Sequence, residues 1–364
     1  MSVTAIFDNW LLIRTHLGIL LPGRCSVNDS KNRSSATRLS AHQLRPARSI
    51  VMTGLSIPAR DKINGTSVAM NIEKSHYLMK CTVLICLFTL VLCGQLLAQA
   101  TPASAHAANC SPALLDIDGN KIWMNEEGKG NITVVFEAGF GNDSSVWSEI
   151  TPKIQAAGVQ TFVYDRAGMG KSTINTSTPY SIDNDVYILK SALANCHIKG
   201  PIVMVGHSYG GAISLLAASE DPDIAGLVLI EAVVPNVWTP TEVENNLKMM
   251  RPQYDEIREK APDLAKVAIP WAEAMPDTAK KVNSLRVSDV LPIIDIEAEK
   301  GQETPESTQT WRQAHKQFTS GNPHREFVMA MGSSHKVMAD QPDLVVKSIL
   351  QMIETVRGKR TGAK

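Results

Sequence analysis

From about residue 112 onward, short and continuously apolar runs alternate with longer stretches whose apolar residues recur every three or four positions. The first kind reads as a buried strand, the second as a helix covering it. Leu114–Ile117 and Lys121–Met124 flank Asp118-Gly119-Asn120, a hairpin signal. Further strands are predicted at Asn131–Phe136, Thr161–Tyr164, Val203–Gly206 and Leu227–Ile230. Helices are predicted at Ser145–Ile154 and at Ile182–Ala194, where Val186, Leu189 and Leu193 share one face. After Pro235 the pattern becomes polar and helix-like to about Val287. Pro292-Ile293-Ile294 then restarts the strands, Glu306–Phe318 reads as a helix, Glu326–Met329 as a strand and Leu344–Val356 as a closing amphipathic helix. Such alternation predicts a mainly parallel sheet with helices on both faces. The core is expected at 108–235 and 288–358, with a helical cap at 236–287 and a basic tail at 359–364.

The residues before this body follow a different pattern. Ser, Arg and Asn dominate Ser26–Arg48, with no sustained period. Met79-Lys80 then opens an apolar run, Val83–Cys93, followed by Ala98-Gln99-Ala100 and Ala105-His106-Ala107. A short basic start, an apolar core and A-x-A sites make a secretory signal peptide over 79–107. The core is short for a membrane span, so no stable span is expected once the signal is cleaved at Thr101 or Ala108; the alternative is an uncleaved N-terminal anchor. Residues 1–78 are expected to be disordered or an over-extended reading frame, with Met79 as the start. The expected location is the periplasm or the medium. There, Cys110 and Cys196 can either pair or stay as free buried thiols.

Charge alters the picture little. The chain has 36 basic and 36 acidic residues; 10 Lys and Arg against 4 Asp and Glu fall in 1–78, which leaves the body mildly acidic. No basic face suggests nucleic acid. No phosphate loop or metal-ligand cluster is visible, so no cofactor is implied.

The chemistry concentrates in Gly206-His207-Ser208-Tyr209-Gly210, between the apolar run Val203–Val205 and a small-residue helix through Ala218. A serine between two glycines on a tight strand-to-helix turn is the nucleophile-elbow pattern. Glycine is needed on both sides because a Cβ would collide with the neighbouring elements. Serine needs a base, and His335, in a small-residue loop near the C-terminus, is the candidate. His207, His197, His315, His106 and His324 fit that role less well.

The parts and their order resemble the α/β-hydrolase fold superfamily over about residues 112–357. Gly139-Phe140-Gly141 comes first, followed by Trp147; Asp165-Arg166-Ala167-Gly168-Met169-Gly170-Lys171-Ser172 is similar to its D-R-x-G-x-G-x-S turn. The Ser208 elbow follows, and Ser334-His335 with Asp340-Gln341-Pro342 is similar to its histidine segment. The resemblance implies an α/β-hydrolase fold, mainly parallel with a small helical cap, and a Ser-acid-His order. In most relatives the acid follows the strand that begins here at Pro292, yet the usual aspartate position holds Gly301. Some relatives carry the acid one strand earlier, where this chain has Glu231. Glu231 is the expected acid, with Glu297 and Glu299 as alternatives. The resemblance also implies an oxyanion hole from the Phe140 and Tyr209 backbone N–H groups, although Glu137-Ala138 departs from the common H-G-x-G form. Asp165 and Arg166 read as structural.

The functional expectation is an exported serine hydrolase that cleaves a carboxylic ester through an acyl-enzyme. Its partner would be a small acyl substrate, with Trp238, Met249, Met250, Tyr254, Trp271 and Met275 as candidate pocket or cap-packing residues. Lactones, amides and thioesters use the same machinery. A non-catalytic ligand-binding protein on this fold is the competing reading. Relatives with a carboxylate nucleophile are excluded by Ser208.

Overall fold

The fold is that of a computed structural model describing residues 110–302 and 304–361. The expected N-terminal extension, the signal segment with its cleavage sites, and residues 362–364 lie outside the described residues.

Eight strands are present among the described residues: β1 (Ala113–Ile117), β2 (Asn120–Gly128), β3 (Thr133–Glu137), β4 (Gln160–Tyr164), β5 (Ile202–His207), β6 (Ile224–Ile230), β7 (Ile293–Lys300) and β8 (Arg325–Ser334). They form one sheet in the order β1-β2-β4-β3-β5-β6-β7-β8. β1 and β2 pair antiparallel, as do β2 and β4; every pairing from β4 to β8 is parallel. The helices are α1 (Thr151–Gln155), α2 (Ile182–Asn195), α3 (Tyr209–Glu220), α4 (Pro240–Met250), α5 (Tyr254–Lys260), α6 (Pro262–Glu273), α7 (Met275–Ser284), α8 (Pro305–Thr319), α9 (Val337–Asp340) and α10 (Pro342–Thr361).

The central strands are apolar on both sides because both faces are covered. Val134, Phe136, Val205 and Val228 pack with Trp147, Ile154 and the α10 residues Ile349 and Ile353. Their alternates Val135, Met204, Leu227 and Leu229 pack with Leu189 of α2 and Ile213 of α3. Helix starts follow local chemistry: Ser181 accepts the Asn184 N–H at 3.2 Å to open α2, and Thr304 and Ser307 form a reciprocal capping box before α8. Between β6 and β7 the chain is helical, α4 to α7. Cys110 and Cys196 form a disulfide that ties the segment before β1 to the end of α2.

The sheet extends further than the apolar runs suggest. The strand opened by Pro292-Ile293-Ile294 runs on to Lys300, so Asp295, Glu297 and Glu299 alternate with Ile294, Ile296 and Ala298. Acidic residues are tolerated there because α8 supplies partners, Arg312 and His315. β8 likewise continues through the small residues Gly332 and Ser333 to Ser334, directly before His335. Among the described residues, no helix is long and apolar enough to cross a membrane.

Candidate active site

β3 is flanked by β4 on one side and β5 on the other, so the strand order reverses direction at this point. Ligands on open α/β sheets collect at the carboxyl ends of strands around such a switch. Ser208 sits there, between β5 and α3, with φ of 52° and ψ of −123°. A non-glycine residue held at positive φ costs about 1–3 kcal/mol and persists only where its surroundings enforce it. Here the Ser208 N–H donates to Ile230 O at 3.1 Å, while Gly211 and Val233 N–H groups both donate to Ser208 O at 2.9 Å. A Cβ on Gly206 would lie 2.6 Å from Ser214 Oγ, and one on Gly210 2.5 Å from the Glu137 and Ala138 carbonyls. The elbow therefore requires its glycines sterically.

Ser208 Oγ lies 3.0 Å from His335 Nε2. His335 Nδ1 faces Glu231 Oε1 at 3.6 Å, slightly beyond hydrogen-bonding reach, and has no hydrogen-bond partner among the described residues. This is looser than the direct hydrogen bond expected between acid and base.

Glu231 is fully buried just past β6, with φ of 45°. Its Oε2 accepts the Ala298 N–H at 2.6 Å and its Oε1 accepts Gln302 Nε2–H at 2.9 Å. Burial alone raises its pKa; the facing His335 imidazole and the Ala298 N–H outweigh burial and hold the carboxyl below its ordinary value. Gly301 explains the departure at the usual acid position. A Cβ there would stand 1.8 Å from Glu231 Oε1, so the Glu231 carboxylate occupies the space a residue-301 side chain would need.

The alternative acids are engaged elsewhere. Glu297 is buried, and its Oε1 accepts Arg312 Nε–H at 2.9 Å. Glu299 accepts the Gly332 N–H at 2.7 Å. His315 pairs through Nδ1 with both Asp295 oxygens at 2.9 Å, deep under α8. His207 turns its Nε2–H to the His335 carbonyl at 2.9 Å. Burial, with His335 beside it, pushes its pKa down to about 3, so it is a neutral prop behind the base loop.

The Gly139-Phe140 loop lies against the elbow: a Cβ on Gly139 would sit 3.1 Å from Ser208 Cβ. The Phe140 ring stacks on Trp271 of α6 at 3.9 Å between centroids. Tyr209 meets Trp271 edge-on at 5.8 Å, and Trp238 lies 6.3 Å from Tyr209. Of the candidate pocket residues, Trp238 and Trp271 join this aromatic group. Met250, Tyr254 and Met275 are buried in the hydrophobic core, with Tyr254 donating to Glu273.

A charged cluster not foreseen in the sequence lies under the loop: Glu137, Arg166 and Asp185, all buried. The signals were present. Glu137 ends the otherwise apolar strand segment Val134–Phe136, and Asp185 interrupts the apolar stripe of Ile182, Val186 and Leu189. Asp165, by contrast, accepts the Lys171 N–H at 2.9 Å within its own turn and the Ser144 N–H at 2.8 Å. No grouping of His, Cys, Asp and Glu among the described residues is arranged to hold a metal ion.

Comparison with known proteins bears on the fold. The family model for the alpha/beta hydrolase fold matches residues 132–285. The uncharacterized protein YqjL of Bacillus subtilis is 26% identical over 61% of this chain and 83% of its own. Lipase LipV of Mycobacterium tuberculosis is 33% identical over 31% of this chain and 41% of its own. A carboxylesterase structure from Nitrososphaera gargenis superposes with a TM-score of 0.53 at 12% identity, covering 68% of this chain and all of that one (100%). The eight-stranded sheet order and the elbow at the end of β5, with the family-model match, show the α/β-hydrolase fold.

Proposed function

We propose that this protein is a serine hydrolase that cleaves carboxylic esters by a Ser208–His335–Glu231 triad through an acyl-enzyme. The observation that carries the reading is the 3.0 Å approach of Ser208 Oγ to His335 Nε2 on a strained elbow. With its proton on Nδ1, facing Glu231, His335 accepts the Ser208 hydroxyl proton through Nε2. The Ser208 oxygen adds to the ester carbonyl, and the carbonyl electron pair moves to oxygen. The Phe140 and Tyr209 N–H groups receive that oxyanion. The tetrahedral adduct collapses, the alcohol leaves with the proton from His335, and water repeats the sequence to release the acid. Glu231, held ionised, stabilises the imidazolium formed at each stage.

The lipase and carboxylesterase names among the relatives support an ester bond as the target. The aromatic wall of Phe140, Trp271 and Trp238 supports an apolar acyl or alkyl group beside Ser208. The Cys110–Cys196 disulfide supports work in an oxidising compartment, in keeping with export. The test is labelling by a serine-directed fluorophosphonate with a panel of p-nitrophenyl esters of increasing acyl length. Ser208→Ala and His335→Ala should each lose turnover by several orders of magnitude while remaining folded. Wild-type rates in folded Ser208→Ala would sink the mechanism.

A further inference from the structure

The guanidinium of Arg166 reaches three acceptors at once. Nη1 meets Glu137 Oε1 and the Ala138 carbonyl, and Nη2 donates to the Gly139 carbonyl at 2.7 Å. Both carbonyls belong to the loop that leads into Phe140. A peptide unit is planar and trans, so the Gly139 carbonyl and the Phe140 N–H point in opposite directions. Fixing that carbonyl on Arg166 turns the Phe140 N–H away from the guanidinium, on a loop whose Gly139 lies against Ser208.

The same cluster grips the residue on the other side of the site. Tyr209 donates its hydroxyl to Asp185 Oδ2 at 3.1 Å, and Tyr180 donates to that oxygen at 2.5 Å. The Arg166 guanidinium carbon stands 5.6 Å from the Tyr209 ring centroid. Tyr164 donates to the remaining Glu137 oxygen. We infer that Glu137, Arg166 and Asp185 form one positioning device that aims both N–H donors of the oxyanion hole, Phe140 through the Gly139 peptide and Tyr209 through its side chain. This rests on the ester-hydrolase reading above.

Stability alone gives little reason for such a cluster. Apolar residues of similar volume often replace a buried ion pair at no cost or with a gain. What apolar residues cannot do is fix the direction of two loop carbonyls, and Arg does this with a rigid planar fork that Lys lacks. The Arg166–Glu137 ion pair thus holds the loop from behind.

The test compares Arg166→Lys, Glu137→Gln and Asp185→Asn with the wild type, each checked for folding by circular dichroism. It reads kcat and KM for a p-nitrophenyl ester, the pH profile, and the affinity for phenylboronic acid, which becomes tetrahedral on the Ser208 oxygen. Losing one well-aimed oxyanion donor costs on the order of 10²–10³ in kcat. Arg166→Lys should therefore lower kcat about 100-fold with KM within about twofold, and weaken the boronic acid in proportion, while the pH profile keeps its position. Asp185→Asn, acting on the Tyr209 arm, should cost about tenfold, and Glu137→Gln, which keeps an amide oxygen to accept from Arg166 and turns its amide N–H to the Tyr164 hydroxyl oxygen, less than that. If Arg166→Lys does not fold, Asp185→Asn decides. The inference is overturned by a folded Arg166→Lys or Asp185→Asn with near-wild-type kcat, or by a loss that falls in KM and leaves boronic-acid affinity unchanged. Wild-type protein that neither hydrolyses esters nor takes the fluorophosphonate would instead overturn the function reading.

Discussion

β6 and β7 lie side by side and each brings a buried glutamate toward the same end of the sheet, yet the two carboxyls behave in opposite ways. Glu231, past β6, accepts N–H groups from Ala298 and Gln302 and faces His335, and its pKa is held below the ordinary value against the burial that would raise it. Glu297, in β7, is pushed up to about 7 by burial, with Arg312 and His315 pulling against it, and its Oε2 has no partner among the described residues. A general-base histidine needs a carboxylate that stays ionised while the imidazolium forms. Neutral donors and a facing imidazole leave Glu231 in that condition, whereas Glu297 is committed to Arg312. Two carboxyls of one type, a strand apart, are thus shifted in opposite directions by their surroundings.

The comparison breaks most sharply at Glu231 itself. Glu231→Gln should lower kcat by on the order of 10³-fold or more, since an amide cannot stabilise the imidazolium and can favour the wrong tautomer. Glu299→Gln should stay within about threefold of wild type. Equal losses in both variants, measured by steady-state kinetics, would erase the distinction between the strands.

The next effect is a relocation of the acid. The space at Gly301 is filled by the Glu231 carboxylate, so Gly301→Asp alone should unfold or inactivate the protein. Glu231→Gly removes the carboxylate and suits the positive φ at that position. The double variant Glu231→Gly with Gly301→Asp should recover at least tenfold in kcat over Glu231→Gly. No recovery in a folded double variant would show that the β7 end cannot present a carboxylate to His335.

The smallest effect is in stability. A carboxyl whose pKa is higher folded than unfolded binds more protons in the folded state between those values. Glu297 therefore contributes stability that is fully present below about pH 4.5 and is lost as pH rises through about 7. Urea unfolding at pH 5 and pH 8 should show wild type losing roughly 1–3 kcal/mol more than Glu297→Gln over that range. Parallel pH profiles would mean that Glu297 is not the strained carboxyl of the pair.

Much of this could be read from the sequence because it is local. The apolar alternation along strands and helices, the elbow glycines and the order of Ser208 and His335 are properties of short windows or of chain order. The parts that could not be read depend on partners far along the chain. The strand character of Asp295, Glu297 and Glu299 depends on Arg312 and His315 of α8, which no window around β7 contains. The meaning of Gly301 emerges only once Glu231, 70 residues earlier by number, fills its space. Arg166 reads as a turn residue because its acceptors, Glu137, Ala138 and Gly139, belong to another strand end. The pairing of Cys110 with Cys196, left open by spacing, is likewise settled by the distance the fold creates between them.

The account centres on Ser208 as a nucleophile activated by His335 and held poised by Glu231. Its most direct test is the rate at which a fluorophosphonate labels the protein, with the modified peptide identified by mass spectrometry in wild type, Ser208→Ala and Glu231→Gln. The predicted result is a single adduct on Ser208 in wild type, none in Ser208→Ala and labelling slowed by at least about 100-fold in Glu231→Gln. An adduct on another residue, or a Glu231→Gln rate equal to that of wild type, would contradict it.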